Sequence, residues 1–135
     1  WLAPWHADKA LARSAEGIGG QCYADPAHPT DAAIDAYFAP LLASKRRKAL
    51  VHAYAIALEP NPLAGIEAAL RRSAVPTRIV WGMADTIFSR QPPAYLDRVL
   101  GNSRGVRDLP GSKLFWPEER PDVVAEEARA LWSGR

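Results

Sequence analysis

The sequence predicts an α/β protein: a helical segment over residues 1–74, then a βαβα end portion of a parallel sheet over residues 75–135. Three observations carry this. Apolar residues recur at three- and four-residue spacing through the first half, the signature of one buried helix face. The run Thr77-Arg78-Ile79-Val80-Trp81 is short, β-branched and aromatic, and Pro76 and Gly82 bound it, so it reads as a strand. Helical and strand patterns then alternate to the end of the chain, which implies a parallel pair joined by a right-handed crossover.

Each element has its own signal. Residues 4–16 are Ala-rich, Pro4 suits a first helical turn, and Gly17, Gly19 and Gly20 are expected to end the helix. Thr30 or Asp31 can cap a helix with Ile34, Tyr37, Phe38, Leu41 and Leu42 on one face. After Lys45-Arg46-Arg47-Lys48, the residues Leu50, Tyr54 and Leu58 repeat that spacing. Asn61-Pro62 reads as a cap and first-turn proline for a short helix carrying Leu63, Ile66 and Leu70. Past the first strand, residues 93–100 offer Tyr95, Leu96, Val99 and Leu100 as a helical face. Residues 105–109 form the second strand, closed by Pro110-Gly111, and Pro121 opens a last helix with Val124, Ala128 and Leu131 on one face.

Composition narrows the function classes. The chain has 135 residues, 48% apolar and 24% charged, enough for a globular core. Seventeen basic against 15 acidic residues leave +2, so neither nucleic acid nor a membrane is expected as partner. Cys22 is the single cysteine and cannot bridge internally, which fits a reducing, cytoplasmic setting. His6, His28 and His52 lie far apart without metal-ligand spacing, and no cofactor is expected. No membrane span or leader is visible. The only methionine is Met83 and the first residue is Trp1, so the chain reads as a part of a longer protein. Two parallel strands alone leave both edges open. Residues 77–81 are therefore expected to pair with a strand from a missing segment or a partner copy.

Some motifs carry less than their letters promise. Gly101-Asn102-Ser103-Arg104-Gly105 satisfies the nucleophile-elbow pattern, yet a helix precedes it and a strand follows, the reverse of what an elbow requires. Gly101 reads as a helix C-cap, and Ser103 falls at the end of the sheet away from Asp85. Gly17-Ile18-Gly19-Gly20 follows a helix and is no dinucleotide loop. The basic run at 45–48 reads as a solvated helix end. His52 reads as an ordinary helix histidine, unless the helical segment folds it toward Asp85.

The stretch Val75-Pro76-Thr77-Arg78-Ile79-Val80-Trp81-Gly82-Met83-Ala84-Asp85 resembles the acid-bearing strand and loop of the α/β-hydrolase family. Residues 109–121, Leu109-Pro110-Gly111-Ser112-Lys113-Leu114-Phe115-Trp116-Pro117-Glu118-Glu119-Arg120-Pro121, are similar to that family's last loop and the start of its last helix. The helical first half resembles the family's cap, and the whole corresponds to its carboxyl-terminal half. The resemblance implies that Asp85 is the acid of a nucleophile–acid–histidine triad and that the histidine falls at Leu114, 29 residues on. Leucine transfers no proton, and all three histidines precede Asp85. A small-molecule hydrolase of epoxide hydrolase, dehalogenase or esterase type is one expectation, with this chain alone inactive. A non-catalytic binding protein on the same framework is the other, and an inactive fragment is a third. A strand–elbow–helix encoded ahead of Trp1 would favour the first. Ile87, Phe88, Phe115 and Trp116 flank the two loop positions as candidate substrate-lining residues, against a role in simple core packing.

Overall fold

The computed structural model describes residues 2–57, 63–88 and 92–134. Leu58 and the Asn61-Pro62 cap fall outside the described residues. Contacts group the chain into two units: Trp1–Gly20 with Asp25–Ala64, and Gln21–Ala24 with Gly65–Arg135. The short segment 21–24 and residues 65–74 thus belong with the sheet.

In the helical unit the caps set the boundaries. The Asp8 carboxylate accepts from the Ala10 and Leu11 amides at 2.9 and 3.1 Å, so the expected helix over 4–16 is two, α1 (Leu2–Ala7) and α2 (Lys9–Ala12). Gly19 and Gly20 do not terminate a helix; they lie inside α3 (Ile18–Cys22). Their role is close approach, because an added Cβ would sit 2.4 Å from the Pro26 and Ser14 carbonyl oxygens respectively. Thr30 is the cap of α4 (Asp31–Leu42), its hydroxyl accepting from Ala33 N at 3.1 Å. Of the expected apolar face, Ile34 and Phe38 are buried and Trp5 packs on the Phe38 ring at 6.1 Å. Ser44 caps α5 (Lys45–Ile56), accepting from Arg47 N at 3.1 Å. That helix buries none of its residues, and Leu50 and Tyr54 are 53% and 70% exposed, so its expected apolar face stays uncovered.

In the sheet unit the order is α6 (Glu67–Arg72), β1 (Thr77–Gly82), α7 (Pro92–Val99), β2 (Ser103–Leu109), α8 (Trp116–Glu119) and α9 (Pro121–Trp132). Helix α6 starts at Glu67 and leaves Leu63 and Ile66 exposed before it. β1 and β2 run parallel, as expected, from Thr77 opposite Ser103 to Gly82 opposite Leu109. Between these ends β2 carries one extra residue, since Ile79 faces Val106. This bulge explains the Gly101–Gly105 motif. Gly105 takes the positive φ of 83° that a bulge needs, and the Ser103 hydroxyl accepts from its amide at 3.1 Å while donating to Asp97 at 2.5 Å. Ser103 pairs with the first residue of β1, whereas Asp85 follows the last. β2 starts at Ser103, two residues before the expected 105–109. Gly101 has no positive φ; it follows α7 and its amide donates to Leu70 O at 3.1 Å.

Two helices pack on the pair. Helix α7 packs on β1 and β2 and buries Val99, and α9 packs on β1. Val123 is the fully buried residue of α9, while Val124 is 42% exposed. Arg78 and Val80 face Val124, Ala128 and Leu131 of α9. Here Glu127 accepts from Arg78 at 2.9 Å and Arg107 at 2.7 Å, tying α9 to both strands.

The Arg107 and Arg78 guanidiniums hold the Glu127 carboxyl below its ordinary 4.5. A lowered folded pKa gives stability that is present above 4.5 and lost as the pH falls through the folded value. Glu127→Gln is therefore expected to lower stability at neutral pH by about 1 kcal/mol and to flatten the acid limb. Chemical denaturation between pH 3 and 7 checks it. An acid limb as steep in the variant as in the parent would assign that limb to other carboxylates.

Candidate functional site

Gly82 ends β1 at the carboxyl edge of the sheet, where open parallel sheets place their ligand groups. Beyond it the chain is fastened to the loop after β2 by backbone bonds. Met83 N donates to Leu109 O at 3.0 Å and Ala84 N to Ser112 O at 2.9 Å. The two loops approach so closely that a Cβ on Gly82 would lie 2.6 Å from Lys113 O and 2.7 Å from Ser112 O. Gly82 has no positive φ, so glycine is required here for proximity rather than for a turn.

This stapling brings Asp85 and Leu114 to the same place. They line one cleft of about 190 Å³ together with Val80, Trp81, Gly82 and Trp116. Asp85 is buried, 8% exposed, and its Oδ1 accepts from Ile87 N at 2.8 Å. Leu114 is half-buried. The acid is presented, and across the cleft stands a side chain that exchanges no proton with it.

The other candidate lining residues are placed differently. Ile87 and Phe88 are 45% and 51% exposed and do not line this cleft. Phe115 turns to Tyr23 in an edge-to-face pair with ring centroids 5.3 Å apart, and its amide donates to Cys22 O at 2.8 Å. Of the four, Trp116 lines the cleft with Asp85.

Sequence reasoning missed three neighbours. Trp81 was legible only as a strand residue. Cys22 and Lys113 belong to the surroundings of Asp85 by electrostatics: burial pushes the Cys22 thiol up, the Asp85 carboxylate adds to this, and Lys113 opposes it. Burial and the nearby carboxylate thus both disfavour the thiolate form of Cys22. The approach of residue 22 to residue 85 depends on the segment 21–24, which docks through Tyr23 Oη donating to Glu118 at 2.7 Å and Ala24 N donating to Glu119 at 3.0 Å. No local pattern announces it.

The histidines belong to the helical unit. His6 Nε2 lies 3.2 Å from Asp35, and Lys9 also bonds that carboxylate, while His28 sits in the loop before α4. His52 lines an apolar cleft of about 260 Å³ with Leu2, Leu41, Leu42 and Val51. Among the described residues no group of three or more His, Cys, Asp and Glu side chains could hold a metal, and no helix is long and apolar enough to cross a membrane. Comparison with protein-family models, curated proteins and solved structures found no match.

Proposed function

We propose that this chain is the carboxyl-terminal part of an α/β-hydrolase-like protein handling a small molecule, of epoxide hydrolase, dehalogenase or esterase type. Asp85 takes the place of the triad acid, and Leu114 stands where the histidine would be. The observation that carries the reading is that these two residues, 29 apart in sequence, line one cleft at the carboxyl end of β1. In such a triad the acid orients an imidazole, which activates the nucleophile. Without the imidazole the relay is broken, so this chain alone is not expected to turn a substrate over. In this reading the helical unit corresponds to the segment that resembles the family's cap. The edge of β1 away from β2, unpaired among the described residues, receives a strand from the remaining hydrolase half or from a second copy.

Leu114 itself favours a second reading, a binding protein that keeps the framework and has given up catalysis. An assay of the chain with p-nitrophenyl acetate and styrene oxide tests both. No turnover above buffer is expected. Turnover abolished by Asp85→Asn would establish a working centre and overturn the inactive reading.

A further inference from the structure

We infer that the cleft between β1 and the loop after β2 binds a small organic cation, an alkylated or quaternary ammonium head. The inference rests on the binding reading of this cleft. An ionised carboxylate has about four acceptor sites, and among the described residues the buried Asp85 uses one, toward the Ile87 amide. No buried side-chain oxygen among the described residues lacks a hydrogen bond, so the remaining acceptor capacity of this carboxylate is open to the cleft, where a positive charge can meet it. Leu114, lining the same cleft, offers none.

The rest of the lining selects the kind of cation. Trp81 and Trp116 bring indole rings, whose faces attract cations more strongly than any other side chain's. Val80 and Leu114 bring hydrocarbon, which suits N-methyl groups and suits a hydrated metal ion poorly. A single carboxylate also falls short of the ligand number that a metal requires. The volume, about 190 Å³, is below the ~300 Å³ at which drug-sized pockets begin. A compact ammonium head fits that scale.

The test is titration of the 135-residue chain with choline and with its uncharged isostere 3,3-dimethylbutan-1-ol, followed by tryptophan fluorescence and indole NMR shifts. Choline is expected to bind at least about tenfold more tightly than the isostere, the discrimination that loss of one buried charge pair removes. Asp85→Asn should erase that preference. Leu114→Lys puts an ammonium in the cleft from a half-buried position. It should weaken choline about tenfold while amide spectra show the fold retained, which keeps the test decisive if Asp85→Asn fails to fold. Equal binding of choline and isostere would overturn the cation inference and leave the binding reading standing. Binding of neither would overturn both.

Discussion

Gly82→Ala is expected to destabilise the sheet unit by about 3 kcal/mol and to lower its melting temperature by roughly 15 °C. The added methyl meets two backbone carbonyl oxygens at 2.6 and 2.7 Å, not the flexible end of a side chain, so the strain is relieved only if one loop retreats. Retreat breaks the bonds of Met83 N to Leu109 O and Ala84 N to Ser112 O, which hold the two loops together. The cleft is then lost along with stability. Gly101→Ala is the control, since its methyl would lie 2.2 Å from Arg71 O, at the other end of β2. Thermal unfolding should show both variants weakened. Indole shifts of Trp81 and Trp116 should move strongly in Gly82→Ala alone. Unchanged stability for Gly82→Ala would mean that the two loops are not in contact at residues 112–113.

Residues 77–82 show why part of this architecture was legible. A short apolar run between Pro76 and Gly82 is strand-like on local grounds, and the structure places β1 there. Thr30 declared its helix for an equally local reason, because a hydroxyl can accept from an amide three residues on. Ser103 and Arg104 were not legible as strand. Their turn-like neighbours describe a bulge, and a bulge is defined by the partner strand. Gly19 and Gly20 misled similarly: they look like helix breakers, yet the carbonyls that exclude a side chain come from Ser14 and Pro26. For α5 the spacing of Leu50 and Tyr54 was read correctly as a helix, but periodicity does not say what covers a face.

The candidate site divides along the same line. Asp85 was legible because a strand exit is a property of nearby sequence, whereas Leu114 entered only through the resemblance to the α/β-hydrolase family. Trp81 and Cys22 were not legible. Trp81 reaches the cleft because of how β1 is laid against the loop after β2, and Cys22 comes within the field of Asp85 because Tyr23 and Ala24 dock on α8. These are contacts between segments distant in sequence, which single-residue patterns do not encode. The exposed Ile87 and Phe88 show the converse. Adjacency to a functional residue in sequence places a side chain beside the site, and the turn that Asp85 makes with the Ile87 amide then points the chain away from the cleft lining.

Leu114→His is expected to create an imidazole whose pKa lies above the ordinary ~6.5, because the Asp85 carboxylate shares its cleft. Two effects compete. Burial lowers a histidine pKa, and a neighbouring carboxylate raises it. Position 114 is only half-buried while Asp85 is 8% exposed, so the charge term is expected to win. A raised folded pKa stabilises the variant fully below ~6.5, and that contribution is lost as the pH rises through the higher value. The new ring is identified by subtracting the parent's His6, His28 and His52 resonances, and its titration is followed by NMR. Combining Leu114→His with Asp85→Asn should return the titration to the ordinary value or below it. An imidazole that titrates identically with and without the carboxylate would show that the two positions do not act on each other. Position 114 would then not be where a relay histidine belongs, and the hydrolase reading of the chain would lose the observation on which it stands.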